Sequence, residues 1–260
     1  MIPQNTIAAS IASIKNQEIA PRDVLVIDYG VGNHLSILNA LDFLGYTYHV
    51  SHKKEDIRAA KAYILPGVGA FNEAMKNIEQ LGFRDVLAEE VLQKKKPLLG
   101  ICLGMQVLAG SSEENGYHQG LGWIKGNVVK IKSSDVKVPH VGWNDVSIRK
   151  PFPLFSKTPE KTHFYFDHSY HISCDSSIIS ATCSYGTEIT AAIQQENIFG
   201  VQFHPEKSQN NGLRVYRSFF NYVRSRAEGN QLDKEMTNDA HNPTGSDNYN
   251  QTESDDHAEK

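Results

Sequence analysis

The sequence predicts an α/β fold, a doubly wound sheet with a parallel core and antiparallel additions. In the first half of the chain, short apolar runs alternate with amphipathic helical segments, the order that builds parallel sheets. From Trp123 to Gln202 the apolar runs are shorter and rich in Val, Ile, Phe and Tyr, as in antiparallel sheets. One run, "LLGI", passes directly into "CLGMQ", which predicts a strand that turns at once into a helix.

Each element of the first half has its own signal. "VLVID" (24–28) predicts a strand, and "NHLSILNALDFLG" predicts a helix with Gly45 as its stop. The helical spacing is carried by Leu35, Leu38, Leu41 and Leu44. "YTYHV", "AYILP" and "PLLGI" predict further strands, and "FNEAMKNIEQLGF" and "FRDVLAEEVLQKKK" predict amphipathic helices.

The second half carries six segments typical of strands and one helix. The segments are "WIKGNVVKI", "VGWNDVSI", "HFYFDHSYHI", "IISATC", "ITAAIQQ" and "IFGVQF". We expect them to be antiparallel additions to the sheet. "GLRVYRSFFNYV" predicts a final helix that closes the domain.

Composition limits this domain to residues 23–225. The chain has 260 residues and is 40% hydrophobic, enough for a sizeable core. The segment 226–260 carries nine acidic and three basic residues and few branched apolar ones, which predicts a disordered acidic tail. Residues 1–22 carry only a weak helical pattern, and we expect an N-terminal appendage.

Charge and cysteine content argue against several classes of protein. No run rich in Lys and Arg is present, so no nucleic-acid partner is expected. Three cysteines without C-x-x-C spacing indicate neither disulfides nor a structural metal, and they fit a cytoplasmic location. No stretch approaches 18 consecutive apolar residues and no signal-peptide pattern is seen, so neither export nor membrane insertion is expected. Nothing in the motifs calls for a cofactor.

Cys102 stands between Gly100 and Gly104, where the buried strand turns into a helix. This pattern is a nucleophile elbow with Cys in place of Ser. The helix N-terminus favours the thiolate, and the turn aims the N–H of Leu103 at an oxyanion. The alternative is a buried structural cysteine, which the two glycines and the corner disfavour.

"GVQFHPEKSQ" (200–209) supplies a base for this thiol. His204 and Glu206 stand two residues apart after an apolar run, and therefore on one side of an extended segment. Alone, H-x-E is usually a surface pair. Together with the elbow it predicts an activated nucleophile whose imidazole is oriented by a carboxylate.

These motifs resemble the class I (triad) glutamine amidotransferases, which release ammonia from glutamine. Five stretches in the same order are similar, within that family, to the glutaminase subunits of imidazole glycerol phosphate synthase, and the match runs from about Val24 to Val223. The stretches are "IDYGVGN", "LPGVGAF", "PHVGWN", "YFDHSY" and "GVQFHPEKSQ". The resemblance implies a flavodoxin-like mixed sheet with helices on both faces.

The resemblance also implies roles for individual residues. Cys102 would attack the side-chain amide of glutamine, His204 would protonate the departing ammonia and then activate water, and Glu206 would hold the ring. The remaining roles fall to backbone amides at the oxyanion (Leu103, Val68, Gly69) and to side chains that hold glutamine (Gln106, His168, Ser169, Tyr170). The alternatives are an ordinary glycine turn for "PGVG" and a strand with an aromatic core face for "HFYFDHSYHI".

"IDYGVGN" resembles the start of a dinucleotide-binding turn but lacks the third glycine, because position 35 is Leu. We therefore interpret it as a tight strand-to-helix turn. By resemblance, Asn33 in this turn, Trp143 and Tyr165 lie toward the partner and the ammonia exit. Trp143 is equally compatible with a place in the core.

The resemblance implies a heterodimer with a (β/α)8-barrel cyclase subunit. That pair makes imidazole glycerol phosphate and aminoimidazole carboxamide ribonucleotide in histidine biosynthesis. Three alternatives remain: a paralogous glutaminase that supplies a sugar amidotransferase in surface-polysaccharide biosynthesis, a subunit that has lost its chemistry, and another Cys hydrolase. Asp167 and His171 depart from the family pattern beside the glutamine site.

Overall fold

The computed structural model of the protein describes residues 24–159 and 162–227. The predicted N-terminal appendage and nearly all of the predicted acidic tail lie outside these ranges, and the domain boundaries stay predictions. Both sheets belong to one compact unit, which ends at Arg224. In the two described ranges no helix has the length and apolar character needed to cross a membrane.

The described chain alternates strands and helices up to the fourth strand and then runs mainly through strands. The strands are β1 Val24–Ile27, β2 His49–Ser51, β3 Ala62–Leu65, β4 Leu98–Ile101, β5 Ala109–Ser112, β6 His118–Gln119, β7 Ile124–Lys130, β8 His140–Ile148, β9 Thr162–His168, β10 Tyr170–Cys174, β11 Ile179–Ser184, β12 Glu188–Gln195 and β13 Ile198–Val201. The helices are α1 His34–Leu44, α2 Lys54–Ala59, α3 Phe71–Leu81, α4 Arg84–Ala88, α5 Leu103–Gln106 and α6 Gln209–Ala227.

Nine strands form one large sheet in the order β2-β1-β3-β4-β13-β12-β11-β8-β9. The first five of these pair in parallel, and the remaining pairs are antiparallel. The parallel order is the flavodoxin-like one, with its switch point between β1 and β3. The expected doubly wound sheet with antiparallel additions is therefore confirmed. One assignment was wrong: "IFGVQF" was expected to be an antiparallel addition, but it forms β13, which pairs with β4 in parallel. The pattern of the segment does not carry its direction relative to a strand that lies far away along the chain. Strands β3, β4 and β13 of the large sheet end on the same edge, where ligands bind in such sheets.

Not every second-half strand joins the large sheet, contrary to expectation. β10, β7, β5 and β6 form a separate four-stranded sheet, and β5 pairs with β7 in parallel. The segment "HFYFDHSYHI" is interrupted at Ser169, so that β9 pairs with β8 in the large sheet and β10 pairs with β7 in the small one. The chain crosses between the two sheets at the predicted glutamine-holding residues.

Helix α1 illustrates where the predicted pattern was right and where it was wrong. Gly45 ends the helix in the left-handed conformation, with φ at 73°, as expected. Leu35, however, is 69% exposed, because a strict spacing of three residues drifts around a helix of about 3.6 residues per turn. The buried positions are Ile37, Ala40, Leu41 and Leu44.

Candidate active site

Cys102 lies at a sharp corner between β4 and α5. Its φ of 53° and ψ of −112° are values that residues other than glycine seldom adopt. The Cys102 N–H donates to the Val201 carbonyl at 2.8 Å, and the Cys102 carbonyl accepts from Met105 and Gln106 at 3.0 and 3.1 Å. A strained strand-to-helix turn held in this way has the geometry of a nucleophile elbow.

The glycines around Cys102 let the corner pack directly on backbone. A Cβ at Gly104 would lie 1.9 Å from the Leu65 carbonyl oxygen, and one at Gly100 would lie 2.7 Å from the Gly104 carbonyl oxygen. No other residue fits either position without moving the backbone. The spacing Gly-x-Cys-x-Gly therefore follows from the close approach of α5 to β3 and β4.

His204 follows β13 and has Glu206 on one side of its ring. Its Nδ1 lies 2.7 Å from Glu206 Oε1, and the two side chains are 3% and 1% exposed. The His204 N–H donates to the Tyr165 carbonyl at 2.8 Å, and Ser208 Oγ donates to the His204 carbonyl at 2.6 Å. Because Glu206 occupies Nδ1, Nε2 is the nitrogen left for Cys102.

The charges around His204 favour its protonated form. Burial lowers the pKa of His204, but the negative charge of Cys102, a hydrogen bond with Cys102 and the contact with Glu206 outweigh burial and raise this pKa to about 10. A thiolate next to an imidazolium is the reactive form of a Cys–His pair. Burial raises the pKa of Cys174 to about 11 and that of Cys183 to about 12, so both are thiols at neutral pH.

A cleft of about 300 Å³ opens above Cys102. Nine residues singled out by the sequence line it together: Val68, Gly69, Cys102, Leu103, Gln106, His168, Ser169, Tyr170 and His204. Glu206 is absent from the lining because it lies behind His204. The cleft therefore brings together the groups that an acyl transfer from an amide requires. They are a thiol that can act as nucleophile, an imidazole that can act as base, and backbone amides at the start of a helix.

The residues predicted for the oxyanion and those predicted to hold glutamine are fixed in different ways. Gly69 has φ at 114°, and a Cβ there would meet nothing within 4 Å, so backbone conformation rather than space favours glycine. His168 Nδ1 donates to the Tyr170 carbonyl at 2.9 Å, and burial lowers the pKa of His168 to about 3. This ring is therefore neutral at physiological pH.

The three residues expected at the partner and exit side lie outside the cleft. Asn33 caps α1 through its side chain, which accepts from the Ser36 N–H. Trp143 and Tyr165 lie opposite each other on β8 and β9, with ring centroids 6.1 Å apart. Trp143 is 44% exposed, so the alternative of a core position is wrong.

The two departures from the family pattern have different surroundings. Asp167 lines the cleft; its carbonyl oxygen lies 4.0 Å from Cys102 Sγ, and its carboxylate is 3.7 Å from Lys207 Nζ. His171 is on β10 in the small sheet, outside the lining of the cleft, and burial lowers its pKa. The acid is therefore part of the cleft wall, whereas the histidine is not.

Sequence reasoning missed two polar residues at the site. Glu114 lines the cleft and accepts from the Phe71 N–H at 2.8 Å, at the start of α3. Its sequence context, "SSEENG", gives no signal beyond that of a polar turn. Gln202 lies 3.6 Å from Cys102 Sγ and is fully buried. A polar residue between Val201 and Phe203, in an otherwise apolar run of sequence, was the available signal. In ranges 24–159 and 162–227 no group of three or more His, Cys, Asp or Glu is placed to hold a metal ion.

Comparison with known sequences places this geometry in a family. The family model "Glutamine amidotransferase class-I" matches residues 25–222. "Imidazole glycerol phosphate synthase subunit HisH 2" of Vibrio vulnificus (strain YJ016) is 50% identical over 203 residues, covering 77% of this chain and 95% of that protein. "Imidazole glycerol phosphate synthase subunit HisH" of Bacillus subtilis (strain 168) is 45% identical over 202 residues, covering 75% and 93%.

Solved structures share the fold at low sequence identity. The structure of PurLQS from Thermotoga maritima superposes with a TM-score of 0.60 at 20% identity and covers 77% of this chain and 98% of that chain. The glutaminase domain of CTPS from Trypanosoma brucei, with bound acivicin, gives a TM-score of 0.56 at 16% identity and covers 78% and 93%. At these sequence identities the likeness shows only that the fold is shared.

Proposed function

The chain belongs to the class-I glutamine amidotransferases, and from that premise we propose that Cys102, His204 and Glu206 are its catalytic triad. The chain is the glutaminase subunit of an imidazole glycerol phosphate synthase and hydrolyses glutamine to supply ammonia for histidine biosynthesis. The observation that carries the triad is the buried His204–Glu206 pair, 2.7 Å apart, with the other ring nitrogen left for Cys102.

The reaction proceeds in two halves at one sulfur atom. Cys102 Sγ adds to the side-chain amide carbon of glutamine and gives a tetrahedral intermediate. The carbon–nitrogen bond then breaks, and the leaving nitrogen takes the proton of His204 Nε2 and departs as ammonia. Water gives a proton to the neutral His204 and attacks the glutamyl thioester, which releases glutamate and restores the Cys102 thiolate and the imidazolium.

Backbone amides stabilise the negative oxygen of each tetrahedral intermediate. Leu103, at the start of α5, and Val68 and Gly69 all line the cleft, and we assign this role to their backbone N–H groups. Loss of one such donor costs roughly 3 to 4 kcal/mol of transition-state stabilisation in other enzymes. Gln106, His168, Ser169 and Tyr170 hold the remainder of the substrate.

The ammonia acceptor is a partner, a (β/α)8-barrel cyclase subunit that forms a heterodimer with this chain. Two large exposed apolar side chains on β8, Val141 at 54% and Trp143 at 44%, mark the side on which we place this partner and the ammonia exit. Asn33 and Tyr165 belong to the same side in this proposal. The reactive thiol needs reducing conditions, which fits a cytoplasmic location.

Two measurements test the proposal. Glutamine hydrolysis is measured for the purified chain alone and with the cyclase subunit and its nucleotide ligand, for the parent, Cys102→Ala and the control Cys174→Ala. We expect the loaded partner to raise the rate, Cys102→Ala to abolish it, and Cys174→Ala to keep it. Synthesis by the complex should fail with glutamine in Cys102→Ala but proceed from added ammonium salt.

Each part of the proposal has an outcome that contradicts it. Full hydrolysis by Cys102→Ala would disprove the triad, and equal failure with glutamine and ammonium would disprove the division of labour between two chains. An electrophilic glutamine analogue that still labels Cys102, without a rise in rate on adding the cyclase subunit, would keep the triad. That result would point to another acceptor, first of all a sugar amidotransferase.

A further inference from the structure

Gln202 is a fully buried residue, one position after β13, that touches the reacting sulfur. Its Nε2 lies 3.6 Å from Cys102 Sγ, and its Oε1 lies 3.0 Å from Gln106 Nε2. Gln106 Nε2 in turn lies 2.8 Å from the Tyr170 carbonyl oxygen. Two amide side chains thus join the Tyr170 carbonyl to the Cys102 thiol.

The direction of this chain of hydrogen bonds is fixed at its backbone end. A carbonyl oxygen only accepts, so Gln106 must present its NH₂ group to Tyr170. The second N–H of that group points at Gln202, which must therefore present Oε1. The Gln202 amide has one remaining end, its NH₂ group, and this end faces Cys102 Sγ. Turning the Gln106 amide over would place its oxygen against the oxygens of Tyr170 and Gln202. Turning the Gln202 amide over would place donor against donor at Gln106 and oxygen against sulfur at Cys102.

This chain of hydrogen bonds affects both Cys102 and Gln106. An N–H aimed at sulfur stabilises a thiolate more than a thiol, because the hydrogen bond is stronger to the charged form. At the other end, both hydrogens of Gln106 are used, which leaves its Oε1 for a donor in the cleft. The Gln202 backbone is held as well, because its N–H donates to the Ala191 carbonyl at 2.8 Å.

We propose that Gln202 is a positioning residue for glutamine hydrolysis, which holds the Cys102 thiolate in place and fixes the amide of Gln106 in one orientation. The inference rests on the proposed function of the Cys102 triad. It adds a residue outside the triad, the oxyanion amides and the predicted glutamine-holding positions. Two substitutions separate its actions: Gln202→Met removes both hydrogen bonds, and Gln202→Glu keeps the acceptor but puts a negative charge against the sulfur.

The test uses the full chain in complex with the cyclase subunit and has two readouts. One is kcat and KM for glutamine hydrolysis. The other is the pH dependence of Cys102 alkylation by iodoacetamide, which reports the thiolate directly and does not depend on turnover. The titratable groups that contact Cys102 or line the same cleft are the same in parent and variants. They are His204 with Glu206, Asp167, Tyr29, His168, Tyr170 and Glu114.

We expect both variants to lower kcat by roughly tenfold to a hundredfold, the loss typical of one hydrogen bond to a charged group. The alkylation midpoint should move to higher pH in Gln202→Met and further in Gln202→Glu. KM should rise as well, because Gln106 loses its fixed orientation.

Asn197 provides a matched control at the other end of β13. Its amide is also buried, 2% exposed, and donates to the carbonyls of Val91 and Lys96 at 2.9 and 2.8 Å. Asn197→Leu and Asn197→Asp should lower the melting temperature while leaving kcat and the alkylation midpoint at the parent values.

The inference is overturned if Gln202→Met keeps the alkylation midpoint of the parent, or if the Asn197 variants shift it equally. Absence of hydrolysis by the parent complex would instead count against the proposed function, and the alkylation profile would still decide the role of Gln202.

Discussion

His140 and His168 lie side by side in the protein interior next to the cleft. His140 Nδ1 is 3.0 Å from His168 Nε2, and the His140 ring stacks on Tyr185 and Phe166 at centroid distances of 3.9 and 4.6 Å. Burial lowers the pKa of His140 to about 4 and that of His168 to about 3. Both rings are therefore neutral in the folded chain at a pH where free histidine is charged.

Because the pKa values of these two histidines are lowered, we expect the folded protein to lose stability in mild acid. Between pH 6.5 and about 4 the unfolded chain binds protons at both histidines and the folded chain does not, so the free energy of unfolding falls as pH falls. We expect a loss of about 2 kcal/mol or more between pH 6.5 and 4.5, measured by urea unfolding. His140→Phe keeps the aromatic stack and should show a smaller loss. A decline of the same size in this variant would contradict the assignment.

At the residue scale, the sequence predicted those side chains whose signal is local. Cys102 and His204 each stand in a short motif whose spacing carries the chemistry, and the fold brings both to one cleft. Gln202 offers only a polar residue within an apolar run, and His140 offers no local signal. His140 meets His168 only because β8 pairs with β9 in the register that sets these two residues opposite each other. The register between two strands such as β8 and β9 cannot be deduced from the residues that it sets opposite each other.

At the scale of elements, the helix predicted from "FRDVLAEEVLQKKK" is divided. It consists of α4 and a π-helical turn, Glu89–Gln93. The Glu90 side chain, 1% exposed, points inward from this turn and lies 2.7 Å from Lys94 Nζ and 2.5 Å from Lys96 Nζ. Burial raises the pKa of Glu90, but the two lysines outweigh burial and hold it below its usual value. The spacing of apolar residues predicts an ordinary helix here, because it carries no information on the contacts of Glu90 with the two lysines.

Glu90→Ala should destabilise the protein by removing this pair of contacts. Because both lysines are partly exposed and can be hydrated, we expect a loss of roughly 1 to 3 kcal/mol, less than for a fully buried ion pair. The control is Glu188→Ala, which removes an exposed partner of Arg149 at 2.7 Å and should cost at most about 1 kcal/mol. Urea unfolding at neutral pH gives both values. Equal losses in the two variants would show that the buried contacts add nothing.

For the whole molecule, the sequence predicted the first-half strands of the parallel core because each crossover helix lies next to its strands along the chain. It did not predict that β13 joins this core, because β13 and its parallel partner β4 are far apart in the chain. "VLVID", "AYILP" and "PLLGI" each became a strand of that core, although with shifted ends. The second sheet escaped prediction for a physical reason. Strands β5, β6, β7 and β10 have the same alternating or mixed pattern as edge strands of the large sheet, and only the packing of the two sheets separates them.

Residues 228–260 follow α6 and are mostly polar. This segment contains no Val, Ile, Phe or Trp, so its composition gives it little to bury. The described range up to Ala227 already contains both sheets and all the residues that line the cleft. A chain that ends after Ala227 should therefore melt within about 3 °C of the full chain, which corresponds to roughly 1 kcal/mol at this size. Its glutamine hydrolysis in the complex should also match that of the full chain. Calorimetry and the hydrolysis assay measure the two quantities, and a larger fall in either would show that the segment contributes to folding or to the reaction.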